Sequence, residues 1–406
     1  MSLFSGIRTI IPRFLSVFSG KASSVLHSQR KSSTMLSDRI LADALMLAAI
    51  PSPTFREEQR AAFVLERIAS MGINPRVDEF GNIGIRIHCA SGKTEPPLLL
   101  FTDLGSNRWH PLESLSRIDA TVAKGAGLAD VLGTAALLSA AEGICSGRIT
   151  PGRDVVFLFS AHSFDDPESD AFHEIAESPD DRPFAAIGVQ GFLLGSIATY
   201  AQGNYRIEIR IASEREDPAP PEGEEPPGDC PNPVVDTLIS MARNLSGITW
   251  DSERTTHCHI RRIEAGTGFG RIPSEGIIEL ELESSDGPLL DVARTAVTAT
   301  AEKAGEGKDI KISVNIVSFV PAGDGKVNAD FIQTISDIMK ELHIKIHRDS
   351  RSDPAAFLSI QGIPALSLGL AQGRTGLNVD TVDIASLDKG RQLIESIIEK
   401  ITKEQA

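Results

Sequence analysis

Asp103, Asp130 and His162 are the side chains whose types and settings best suit shared chemistry. Asp103 follows a short apolar run, Asp130 opens a helical stretch after Gly125-Ala-Gly127, and His162 follows the apolar run DVVFLFS. Asp165, Asp166, Glu168 and His173 come next on what reads as one loop. Oxygen-rich clusters of this kind suit Mg, Mn or Ca rather than zinc. A plainer reading competes: a carboxylate at a helix start favours the helix dipole and shapes the loop before it, while the acidic loop is simply solvated. Ser163 beside His162 suggests a serine nucleophile, but neighbours in a strand point to opposite faces, which argues against that pair. His257 and His259 flank Cys258 in an expected strand and share a face. No third or fourth ligand is evident for them, so they read as exposed strand histidines. Cys145 sits at a helix end without the adjacent base a nucleophile needs. His343 and His347 straddle an expected helix-to-strand transition and need not share a face.

Such groups work only if rigid elements place them, and the apolar pattern supplies those elements. Asp38–Ala49 repeats apolar residues at helical spacing until Pro51-Ser-Pro53 stops it, and Arg56–Met71 forms a second amphipathic helix ended by Gly72. Strands over Pro75–Asp78 and Asn82–His88 flank a turn at Phe80-Gly81. Leu98–Thr102, Asp154–Ser160 and Phe184–Val189 are short continuous apolar runs of the kind found in buried parallel strands. Leu128–Ala141, rich in Gly, Ala and Leu, reads as a helix packed closely on that sheet. Alternating strands and helices of this kind predict a three-layer α/β domain.

The pattern changes after residue 203. Tyr205–Ile211 alternates as a half-exposed strand, and Glu214–Asp229 (EREDPAPPEGEEPPGD) is an acidic, Pro-rich loop that cannot pack a core. A helix over Val234–Leu245, strands over His257–Ile263 and Gly276–Glu283, a helix over Leu289–Ala304 and a strand over Ile310–Val317 read as a small α+β unit inserted in the larger one. From Phe319 the α/β style returns, with a helix at Asn328–Leu342, a strand at Ala365–Leu368 and a last helix at Ala385–Ile401. The expected organisation is a leader over 1–35, the α/β domain over 36–203 and 318–406, and the insert over 204–317.

Composition narrows the partners. The 406 residues carry 40 Lys+Arg against 55 Asp+Glu, a net charge of −15 that repels phosphate backbones and makes nucleic acid a poor partner. No apolar run reaches the ~20 residues of a membrane-spanning helix. Cys89, Cys145, Cys230 and Cys258 form no CxxC pair and read as reduced thiols, which favours the cytoplasm. The leader carries Arg8, Arg13, Lys21, Arg30 and Lys31, is rich in Ser and has no acidic residue before Asp38. That composition suits either an organelle-targeting segment over residues 1–34 or a disordered leader before the folded pattern begins at Met35.

Six segments in order carry a resemblance. They are IPSPTFREEQRAAFVLERIASMGINPRVDEFGNIGIRI, PLLLFTDLGS, GAGLADVLGTAALLSA, DVVFLFSAH, AIGVQGFLLGSIATYAQGNYRIEIRI, and GIPALSLG followed by NVDTVDIASLDKGRQLI. Together they resemble the co-catalytic zinc exopeptidase and deacylase family of peptidase T, carboxypeptidase G and the acetylornithine and succinyl-diaminopimelate deacetylases. The resemblance runs from about Leu36 to Ile401. It implies a three-layer zinc-exopeptidase-like domain with an inserted α+β lid, and a homodimer formed through that lid. It also implies two divalent metals sharing a water, with a glutamate as the base that activates it.

Residue by residue, the family's site carries over poorly. Its His-x-Asp pair reads Asp103-Leu104-Gly105, and only its bridging aspartate is matched, by Asp130. Its Glu-Glu pair, base then ligand, falls at Ser163 and Phe164, its acidic ligand before a Gly falls at Gln190, and its last His falls at Gly376, with Asp380 following. The lid histidine is replaced by SEREDPAP, and the lid's Arg-Ser strand end reads Glu283-Ser284. Phe and Gly cannot bind a metal, and Gln and Ser are poor substitutes for carboxylates. Ser352-Asp353 with Gly362-Ile-Pro364 resembles the Ser/Thr-Asp…Gly-Ile-Pro pattern that shapes the substrate end of the family's cleft. With Gln190 these make the candidate cleft residues. The resulting expectation is a degenerate di-metal site with no cofactor, in a protein that binds a peptide, an amino-acid derivative or a partner. One alternative is an active exopeptidase or deacylase with Zn, Mn or Mg on a rebuilt site of Asp103, Asp130 and His162, which the fold would place at one sheet edge. Another is a structural subunit that uses the acidic loop as its contact.

Overall fold

Apolar runs bounded by turn residues dictate most elements, and a computed structural model shows how they pack. It describes residues 32–52, 56–90, 92, 95–106, 116–161, 171–178, 181–201, 203–213, 232–247, 256–266, 268, 272–322, 329–351 and 354–404. The chain opens with α1 (Ser32–Ala48), α2 (Glu58–Ser70), β1 (Arg76–Val77), β2 (Ile83–Ile87) and β3 (Leu98–Asp103). Next come β4 (Arg117–Asp119), β5 (Val122–Gly125), α3 (Leu128–Cys145), β6 (Val155–Ser160), α4 (Ala171–Glu177), β7 (Ala185–Phe192) and β8 (Ser196–Ala201). The middle holds β9 (Gly203–Ser213), α5 (Pro233–Ser246), β10 (Thr256–Ala265), β11 (Glu275–Ser284), α6 (Gly287–Gly305) and β12 (Ile310–Val320). The last part is α7 (Ala329–Glu341), β13 (His347–Arg351), α8 (Pro354–Ile360), β14 (Ala365–Ala371), β15 (Gly373–Arg374), β16 (Asp380–Asp383) and α9 (Ile384–Glu404).

The main sheet has the order β1-β2-β6-β3-β7-β14-β8-β13, with β6, β3, β7 and β14 parallel to one another at its centre. Residues of β3 alternate between two apolar layers, as a strand covered on both faces must. Leu98 and Leu100 join the layer made with α1, α2, α3 and α9, while Leu99 and Phe101 join Phe172 and Ala176 of α4 and Ala355 and Leu358 of α8. These are the three layers expected from the sequence. α3 approaches the sheet closely: a Cβ at Gly133 would overlap the Val189 carbonyl oxygen, and one at Gly191 would overlap the Ala129 carbonyl oxygen. By length and composition α3 could cross a membrane, yet 72% of it is buried in the molecule.

A second sheet, β10-β11-β9-β12, is antiparallel throughout. Tyr205, Ile207, Ile209 and Ile211 face α5 and α6, whose Val234, Leu238, Met241, Leu290 and Val297 complete a separate core. Asn232 caps α5 by accepting from the Val234 and Val235 amides, and Asp286 caps α6 by accepting from Leu289. The opposite face is charged: Arg206 and Arg261 reach Glu281, Arg210 reaches Glu208, and Arg262 reaches Glu279. A third, small sheet, β15-β16-β5-β4, lies outside the sequence-based expectation, as do β8, β13, α4 and α8. The first helix also starts earlier than expected, at Ser32 rather than Asp38. The leader residues 1–31 and the acidic loop 214–229 lie outside the described residues.

Candidate functional site

Parallel strands present their carboxyl ends at one sheet edge, where open α/β folds bind ligands. Asp103 is the last residue of β3 and Gln190 lies near the end of β7, while Asp130 is in the first turn of α3. All three are half-buried. Asp103 lies opposite Ser160 in the β3–β6 register, and the Ser160 hydroxyl donates to its carboxylate at 2.8 Å. Asp130 accepts from the Ser106 hydroxyl at 2.6 Å. Each candidate carboxylate is therefore held by a serine.

Asp130 stands in the first turn of α3, as the dipole reading expects, and Asp380 accepts from the neighbouring Ala129 amide at 3.1 Å. The other oxygen of Asp380 accepts from the Gly376 amide, also at 3.1 Å, and the residue is only 1% exposed. Asp380 thus ties the start of α3 to the turn before β16. Gly127, just before α3, adopts φ 67°, a left-handed conformation that favours glycine. A Cβ at Gly376 would overlap the Val379 carbonyl oxygen, so this turn has no room for a side chain.

Arg60 is a further residue at this edge that the sequence reading missed. Its Nη1 donates to the Leu104 carbonyl at 2.9 Å and its Nε to that of Ile50 at 3.1 Å. The Ser52 hydroxyl donates to the same Leu104 oxygen at 3.2 Å, and the Ser106 amide donates to the Ser52 carbonyl at 2.9 Å. The loop after β3 is thereby fastened to the turn between α1 and α2. The available signal was spacing: Arg60, Val64 and Ile68 fall four residues apart on the buried stripe of α2.

Other candidates separate from this edge. His173, expected on an acidic loop, sits on α4 with its ring 5.5 Å from that of Phe357 and its Nε2 3.4 Å from Glu177. His257 and His259 are exposed, share a face with ring centroids 6.0 Å apart, and lie opposite Glu283 and Glu281. Cys145 ends α3, where burial, then the Glu142 charge, raises its thiol pKa and disfavours the nucleophilic thiolate. Burial pushes the Cys258 thiol up to about 11. A cavity of about 470 Å³ opens between α6 and β12, where Glu302, Glu306, Ile310 and Ile312 line it, and it touches none of the edge residues. His162, Ser163, Phe164, Asp165, Asp166, Glu168, Ser352 and Asp353 lie outside the described residues.

Two divalent cations need several anionic or imidazole donors converging on one point. The donor set described at this edge does not fit that need. Asp103 and Asp130 are carboxylates each bound to a hydroxyl, Gln190 offers a neutral amide, and Gly376 offers no side chain at all. Among the described residues no three His, Cys, Asp or Glu side chains are grouped to hold an ion.

No protein-family model matches the chain, and no curated protein sequence does. Solved structures do. The chain is similar to a tripeptidase from Staphylococcus aureus at 17% identity, with a TM-score of 0.67 over 90% of this chain and 99% of that one. It is similar to the aminopeptidase PepT from Bacillus cereus at 15% identity, TM-score 0.62, over 90% and 99% of the two chains. YxeP from Bacillus subtilis, described as a dinuclear metal-binding peptidase from the M20 family, matches at 14% identity and TM-score 0.56 over 90% and 98%. At these identities the likeness establishes the fold, and it is the zinc-exopeptidase-like fold expected from the sequence.

Proposed function

We propose that this chain is a peptidase- and amidohydrolase-related protein that has lost di-metal hydrolysis and uses its cleft to bind a peptide or amino-acid derivative. The observation that carries the reading is the turn at Gly376. The resemblance puts a histidine ligand there, and this backbone leaves no space for any side chain. The hydroxyl-bonded carboxylates of Asp103 and Asp130 and the amide of Gln190 support the same reading, because they can accept and donate hydrogen bonds to a ligand without a metal. Pairing of two copies through the lid sheet belongs to this reading as a proposal, and the free thiols of Cys145 and Cys258 favour a reducing compartment such as the cytoplasm.

The test is turnover of dipeptides and N-acyl amino acids by the purified chain supplied with zinc or manganese. No hydrolysis above the metal-only blank is expected. Metal-dependent turnover that Asp130→Ala abolishes would overturn the proposal and favour an active hydrolase with a rebuilt site.

A further inference from the structure

Arg60 is among the largest fully buried side chains of the molecule, at 2% exposure, and its two hydrogen bonds go to neutral carbonyl oxygens. No ion pair links it to a carboxylate among the described residues. Buried charges are normally paired, because removing a charge from water is costly. Burial lowers the guanidinium pKa to about 10, so it stays charged at neutral pH, and Asp130 and then Glu57 are the carboxylates whose charges favour that state. The hydrogen-bond chain agrees with this pairing at a distance. Arg60 holds the Leu104 carbonyl, and two residues on, Ser106 holds the Asp130 carboxylate. A buried positive charge therefore anchors the loop whose Ser106 holds the aspartate that the resemblance assigns to bridging two metals.

We propose that the Arg60 guanidinium is a positive charge acting on Asp130, and that it keeps divalent cations from the Asp103–Asp130 edge. This rests on the reading of the chain as a protein without di-metal hydrolysis. The physical cause is Coulombic: a buried cation repels a dication brought to the same carboxylate, and the weakly polar surroundings screen it poorly. Arg60 acts here as a positioning residue, through Asp130. A purely structural tie between α2 and the loop after β3 would make a different prediction, since its loss would be indifferent to metal ions.

The experiment measures melting temperature and Mn²⁺ binding by equilibrium dialysis for the full chain and for Arg60→Met, Arg60→Gln, Arg60→Lys and the double variant Arg60→Met with Asp130→Asn. The wild type is expected to bind Mn²⁺ weakly and to melt at the same temperature with Mn²⁺ or with chelator. Both neutral variants should melt lower, bind Mn²⁺ on the order of tenfold tighter, and regain part of the lost melting temperature when Mn²⁺ is added. Arg60→Lys keeps the charge and should bind no tighter than wild type, and the double variant should lose the gain. Neutral variants that bind Mn²⁺ no better than wild type overturn the inference and leave the proposed function standing. Neutral variants that fail to fold even with Mn²⁺, while Arg60→Lys folds, also overturn it, because a cation then cannot replace the guanidinium. Near-stoichiometric tight binding by the wild type overturns the proposed function itself.

Discussion

Buried carboxylates do much of the joining in this molecule, and each is defined by its donors. Asp380 accepts from two backbone amides, and Asp154 accepts from the Cys89 amide, the Arg86 guanidinium and Nδ1 of His88. Burial raises the Asp154 pKa, but those donors outweigh it and hold the group below its ordinary value of 3.8. The unfolded chain binds the proton more readily, so the stabilisation is full above the unfolded pKa and is lost as pH falls through the folded one. Melting temperature followed downward from pH 5 should therefore fall less steeply below about pH 4 in Asp154→Asn, which should already melt lower than wild type at pH 7. Equal acid slopes in the two proteins would show that Asp154 contributes nothing in that window. The sequence displayed Asp103 and Asp130 because each stands at the edge of an apolar run. It concealed Arg60, and it showed Asp380 only by its place after Gly376, because their roles depend on carbonyls and amides contributed by distant segments, such as Leu104 and Ala129.

The helix α3 and the strand β7 set the spacing of the site edge, and they meet through glycine. Gly133→Ala would put a methyl group against the Val189 carbonyl oxygen and the Thr102 hydroxyl. Overpacking of this kind should cost about 1–3 kcal/mol or more in urea denaturation. Gly84→Ala, whose added Cβ meets no atom within 4 Å, should stay within about 1 kcal/mol. Equal effects would mean that α3 can shift outward freely. The buried strands β3, β6, β7 and β14 were legible because both of their faces are covered, which forces continuous apolar runs. β13 (HRDSR) was not, because an edge strand takes its conformation from pairing, here with β8, rather than from its own residues. The short strands of the small sheet and the seven-residue helices α4 and α8 are too brief to show a period.

At the scale of the whole molecule, a zinc-exopeptidase-like fold combines three layers, close helix–sheet contact and a second, separate core, while the candidate site edge carries two serine-bound aspartates and a buried arginine. Fold and chemistry are separable in this way, since packing fixes the frame and a few side chains at strand ends fix the reaction. The order of segments along the chain revealed the frame. The site edge needed the backbone at Gly376 and the burial of Arg60, which no residue type announces by itself. Elemental analysis of the purified chain, dialysed with zinc and manganese and then against metal-free buffer, tests the central claim most directly. Metal far below one equivalent per chain is the expected result, and near-stoichiometric zinc or manganese that survives dialysis would contradict it.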